Sequence, residues 1–134
     1  MSAALALRAA LHQRLAGDAA LATILGGAKI YDEVPGAVAT PYVVLSGVAS
    51  RNVGTTDEPS EEHRLTVDVW SRQGGLAEVL NAAEGIVAAV TASDLAPAGY
   101  RVADLRWLST EAKRNAGGRT RTASLQFRAL TEPA

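Results

Sequence analysis

The sequence predicts an α+β fold: a mainly antiparallel sheet of four or five strands, an N-terminal helical hairpin, and one long amphipathic helix packed on the sheet. Three observations point there. "LAEVLNAAEGIVAAVTAS" sets Leu76, Val79, Leu80, Ala83, Ile86, Val87 and Val90 at the i, i+3, i+4, i+7 spacing of a helix with one apolar stripe. "RLTVDVW" and "TASLQFRA" alternate polar with apolar residues at period two, as half-covered strands do. The strands come in neighbouring pairs with the long helix between the pairs, the pattern of consecutive hairpins crossed by one helix.

Taken in order, Leu7, Leu11 and Leu15 recur every four residues in an alanine-rich first helix that Ser2 can cap and Gly17 ends. Asp18 is placed to accept from the amides of a second short helix, "AALATIL", which stops at Gly26-Gly27. "AKIYDEVPGAVATP" reads as a short extended segment around Ile30 and Tyr31 and then a loop. "YVVLSGVAS" is apolar on both parities, which suits a central strand covered on both faces. "RNVGTTDEPSEEH" should form a projecting, mobile acidic loop carrying Asp57, Glu58, Glu61 and Glu62. The next strand puts Leu65, Val67 and Val69 on one face and Arg64, Thr66, Asp68 and Trp70 on the other.

"SRQGG" breaks the chain before the long helix, in which Gly85 costs about 1 kcal/mol relative to alanine unless the backbone must approach the sheet there. Two final strands, about 100 to 112 and 120 to 131, flank "KRNAGGRTR", whose Asn-Ala-Gly-Gly core tolerates the positive φ of a hairpin turn. No repeat or boundary divides the 134 residues, so residues 1 to 134 are expected to form a single domain.

Composition narrows the function. With 48% hydrophobic and 20% charged residues the chain has an ordinary globular balance, and its longest apolar run, "GIVAAV", is far short of the roughly 20 residues of a membrane helix. The N-terminal stretch lacks a basic region ahead of its apolar part, so a cytoplasmic protein with no membrane partner is expected. The absence of cysteine excludes disulfides, thiol nucleophiles and cysteine-ligated metals. Thirteen basic against fourteen acidic residues leave no bulk electrostatic drive toward nucleic acid.

Catalytic constellations are weak. His63 and Asp68 lie five positions apart, but in one strand they point to opposite faces, so they make no dyad without a bulge. His12 sits alone on the first helix, and no metal-ligating set can be assembled from two isolated histidines. The glycine pairs at 26-27, 74-75 and 117-118 match no phosphate-binding motif, and the acidic loop does not match a calcium loop. No catalytic residue, cofactor or metal is therefore expected.

Two charged clusters remain. Lys113, Arg114, Arg119 and Arg121 gather around the last hairpin, and Asp57, Glu58, Glu61 and Glu62 around the acidic loop. Each reads most simply as a solvated turn. Together they also suggest head-to-tail self-association, in which one subunit's acidic patch meets its neighbour's basic patch. Trp70, on the wet face of its strand, is a further contact candidate. The competing readings are a small nucleic-acid-binding module using the basic hairpin, and a small enzyme using His63 and Asp68.

The pieces "LRAALHQRLAGDAALATILGGAKIYDEVP", "TPYVVLSG", "HRLTVDVWSRQGG" with its following helix "AEVLNAAEGIVAAV", and "RTRTASLQFRALTE" cover most of the chain in order. In them the chain resembles the tail terminator, or tail completion, proteins of long-tailed phages and phage-derived gene transfer agents. The resemblance implies a structural virion assembly protein without catalysis or cofactor. Its subunits would form a hexameric ring that caps the tail tube, stops its polymerisation and joins it to the head-proximal connector (stopper) protein, with DNA passing transiently and non-specifically through the lumen. It further implies assembly in the bacterial cytoplasm and residence in the particle's tail. The family offers no catalytic motif to carry over, so the interface candidates rest on the charge clusters and Trp70.

Overall fold

The structure, a computed structural model, describes residues 1–72 and 75–134. In chain order it contains α1 (Ala3–Ala16), α2 (Ala19–Leu25), β1 (Ile30–Tyr31), β2 (Tyr42–Asn52), β3 (Glu61–Ser71), α3 (Ala77–Thr91), β4 (Tyr100–Arg114) and β5 (Arg121–Pro133). Of the expected break "SRQGG", Gln73 and Gly74 lie outside the described residues.

The helix ends are closed by the residue types that orphan backbone groups require. Ser2 Oγ accepts from the Leu5 amide and Asp18 Oδ1 from the Leu21 amide at 2.8 Å, while Gly26 ends α2 at φ 79°. The C-terminus of α3 is closed from outside itself: Arg14 Nη1, on α1, donates to the carbonyls of Ala89 and Ser93.

The strands form one mixed sheet in the order β1-β2-β3-β5-β4, in which only β1 and β2 run parallel. All three helices cover one face. Their buried side chains, Leu7, Leu11, Leu15, Leu21, Leu25, Val79, Ile86 and Val90, meet Val43, Leu65, Val67, Val69, Leu125 and Phe127 from the strands. Burying each such side chain contributes about 1.5–3 kcal/mol, which is what holds helices to sheet. Among the described residues the opposite face carries no helix, and it is mostly polar.

Strand β2 departs from expectation. It lies next to the edge rather than at the centre, bordered only by the two residues of β1, and beyond Leu45 it is exposed; β3 and β5 are the central pair. The strand also carries a bulge at Ser46, between Leu45 and Gly47. Before it Val43 and Leu45 share the level and side of Val69 and Val67; after it Val48 stands opposite Leu65. The bulge keeps Val48 on the helix-bearing side, while Tyr42, Val44 and Ala49 put apolar side chains on the face that no helix covers, so apolarity on both parities does not mean double coverage.

Two smaller differences follow from packing. The hairpin of β2 and β3 extends to Asn52 and Glu61, so the expected acidic loop shortens to residues 53–60. Gly85 does permit a close approach, but of α2: a Cβ there would sit 3.2 Å from Ile24 Cδ1 and 3.4 Å from Leu21 Cδ1.

Candidate functional site

Strand pairing fixes where the two charge clusters lie. Glu61 pairs with Asn52 and Thr131 at one end of the sheet, and Ser71 pairs with Arg121, itself opposite Arg114, at the other. Ten residues of extended chain separate these ends by about 33 Å. The acidic and basic clusters thus face opposite directions along the strands.

At the acidic end the loop is tied by the amides of Val53 and Gly54, which both donate to the Ser60 carbonyl, and by the Thr55 amide, which donates to Glu58. Asp57 and Glu58 are exposed and Glu61 half-buried. Glu62 behaves differently from the surface carboxylate that the sequence suggests. Only 6% exposed, it accepts from Arg51 Nε at 3.2 Å and from Arg128 Nε at 2.8 Å, with Arg64 Nε at 3.6 Å. The hydrogen bonds from Arg51 and then Arg128 hold its carboxyl down at about 2, so it is an internal counter-ion among three strands' arginines.

At the basic end Lys113, Arg114 and Arg119 are exposed around a turn in which Gly117 and Gly118 take φ of 86° and 69°. Asn115 Nδ2 donates to the hydroxyls of Thr120 and Thr122, bracing the turn. Arg121 is half-buried, and its Nε is enclosed without a hydrogen-bond acceptor.

Trp70 lies half-exposed on the open face, level with Tyr42 and Thr122. Asp68 lies on that same face, half-buried between Val44 and Ser124, with Oδ1 unpartnered. His63 points the other way and is fully buried; Ser50 Oγ lies 2.6 Å from Nδ1 and Thr131 Oγ1 2.8 Å from Nε2. Burial lowers its pKa, outweighing the opposite pull of the Glu61 charge, and both ring nitrogens meet hydroxyls rather than a carboxylate. It clamps β2, β3 and β5 together. Among the described residues no cluster of three or more His, Cys, Asp or Glu could hold a metal ion. No helix among them is long and apolar enough to cross a membrane.

One surface escaped the sequence reading. Along edge strand β4, Trp107 is 47% exposed and Leu108 40%, and Leu80 of α3 beside them is 46% exposed. Leu80 and Trp107, with Ala83, Val87 and Ala88, line a shallow apolar groove. Leu80 was expected in the core because it continues the helix's periodicity; instead it faces the groove beside Trp107 and Thr110 of edge strand β4.

Comparison with known proteins adds three findings. The family model described as tail completion protein gp17 matches residues 9–132. A chain in a solved structure titled "Virion of native gene transfer agent (GTA) particle" is 30% identical with a TM-score of 0.89, over 98% of this chain and 99% of that one. No curated protein matches.

Proposed function

Because the chain belongs to the tail completion protein gp17 family and so has a structural role in a phage-type tail, we propose that its copies close into a ring, a hexamer, at the head-proximal end of the tail tube. The ring stops tube polymerisation and joins the tube to the connector (stopper) protein, leaving a lumen through which DNA passes. The observation that carries this reading is the likeness to a virion chain across nearly the whole of both chains.

The separation of the charge clusters supports a part with two different neighbours. An acidic end formed by Asp57, Glu58 and Glu61 and a basic end formed by Lys113, Arg114, Arg119 and Arg121 would each meet a separate partner, one the tube and the other the connector. Attraction between the clusters themselves would stack copies along the strands rather than close them side by side. Trp70 and the open face add contact area. Much of that face's charge is internally paired, Glu62 with Arg51 and Arg128, Asp104 with Arg106, Glu132 with Arg101. Paired arginines release few counter-ions on meeting phosphate, so DNA would slide past without being gripped. Assembly would take place in the bacterial cytoplasm, and the protein would then remain in the particle.

The test is to image particles from cells lacking this chain. Tubes of uncontrolled length and heads without tails are expected, both restored by the wild-type chain. Tails of normal length, joined to heads, would overturn the reading.

A further inference from the structure

The sheet has two unsatisfied edges. Among the described residues β4 is paired only with β5, and β2 is covered by β1 only at Val43 and Val44, leaving Ser46 to Asn52 without a strand on that side. Such edges are templates for another strand. From β2 to β4 the sheet passes through three antiparallel pairings, so β2 and β4 run in opposite senses. A second copy set beside the first in the same orientation would therefore continue the antiparallel alternation.

The levels also match. Val48 pairs with Leu65, Leu65 with Phe127, and Phe127 with Trp107, so Val48 and Trp107 stand at the same height and on the same, helix-bearing side. Each is exposed in the isolated chain, at 38% and 47%. Leu5 of α1, 55% exposed, lines the groove beside Val48. By the same reading Arg51, through Glu62 and Leu130, is level with Asp104, opposite in charge. Both edges bulge at neighbouring levels, Leu108 between the levels of Trp107 and Ser109 and Ser46 just below that of Ser109; β4 has a second irregularity nearer its start, between Val102 and Asp104.

We infer that the occupant of the β4 edge is the β2 edge of a second copy, joined unshifted and head to tail, with Trp107 of one subunit packed on Val48 and Leu5 of the next. This contact is heterologous, so it propagates around a ring rather than ending at a dimer. It rests on the proposal that copies assemble into a ring, and it specifies which surfaces meet.

The chain contains no cysteine, so a disulfide can report the contact. Gly47 and Ser109 stand at one level through Thr66 and Gln126, and a Cβ at Gly47 would make only ordinary contacts of 3.8 Å with Thr66. Within one chain these positions are about 14 Å apart, three strand spacings, too far for a bridge; across paired edges their Cα atoms would lie about 4.5–5.5 Å apart. Particles carrying Gly47→Cys and Ser109→Cys together, mildly oxidised, should give a ladder of cross-linked chains ending at one largest species. Each single substitution should give monomers. Trp107→Ser should keep the melting temperature within a few degrees while raising the concentration for assembly at least tenfold. A ring seen by native mass spectrometry or in particles without the ladder would overturn this contact and leave the ring standing. Cross-linking that stops at dimers would also overturn it, and failure to assemble even on tail tubes would overturn both.

Discussion

Lowering the pH should destabilise this fold through one side chain, His63. It is fully buried between Ser50 and Thr131, and burial holds its pKa below the 6.5 of an unfolded histidine. The folded state then keeps the ring neutral while the unfolded chain takes up a proton. The stability is fully present above pH 6.5 and is lost as pH falls below it, until the folded pKa is reached. At pH 5.5 the unfolded chain holds the proton about ten to one, so the loss relative to pH 7.5 is at most about 1.4 kcal/mol. The assay is urea unfolding at pH 7.5, 6.5 and 5.5, followed by tryptophan fluorescence. His63→Phe should be less stable at every pH, since Thr131, 1% exposed, loses its partner at a cost of about 1–3 kcal/mol, but it should lack this component of the pH dependence. Every other titratable group is common to the two proteins, so the difference isolates His63. Equal loss of stability between pH 7.5 and 5.5 in the two proteins would refute the reasoning.

Further tests address other parts. Glu62→Gln should remove a component of acid stability that is complete above the ordinary carboxylate range and fades as pH falls toward 2; calorimetry at pH 3 and pH 6 should show a smaller difference for the variant. Gly54→Ala should destabilise by at least about 1 kcal/mol, because a Cβ there would run into the backbone of Glu58 and Ser60; an unchanged melting temperature would contradict the loop geometry. Gly85→Ala should stay within about 1 kcal/mol of wild type, gained helix propensity offsetting pressure on Ile24, whereas Gly85→Leu should lose more than about 2 kcal/mol in denaturant titration. Deleting residues 55–60 should preserve the far-ultraviolet circular dichroism spectrum and abolish tail joining; joined tails would remove the acidic loop from the assembly surface.

Element types and order were legible because they depend on local patterns: leucine spacing in α1, strict alternation in β3 and β5, glycines at the last turn. The opposed faces of His63 and Asp68 also followed from parity alone. Strand order did not, because nothing local marks Tyr42–Asn52 as nearly an edge, and Tyr42, Val44 and Ala49 on its uncovered face imitate the two-sided apolarity of a central strand. Glu62 was misread for the same reason: its arginine partners come from β2, 11 residues earlier, and β5, 66 residues later. The apolar groove at Trp107 was invisible because exposure of an edge is a property of the assembled sheet.

The strand order carries a consequence for synthesis. The central pairing joins β3 to β5 across 60 residues at Thr66 and Gln126 and 68 at His63 and Thr131. A ribosome that has made β2, β3 and even α3 therefore holds a hairpin whose inner edge is still open, and β4 has no place to dock until the strand after it arrives. Closure of such distant contacts is the slow step of a fold of this kind, and the nascent chain stays vulnerable to wrong pairing until its final stretch emerges. A ribosome stalled between β4 and β5 should thus display a protease-sensitive chain, and release of β5 should make it resistant in one step.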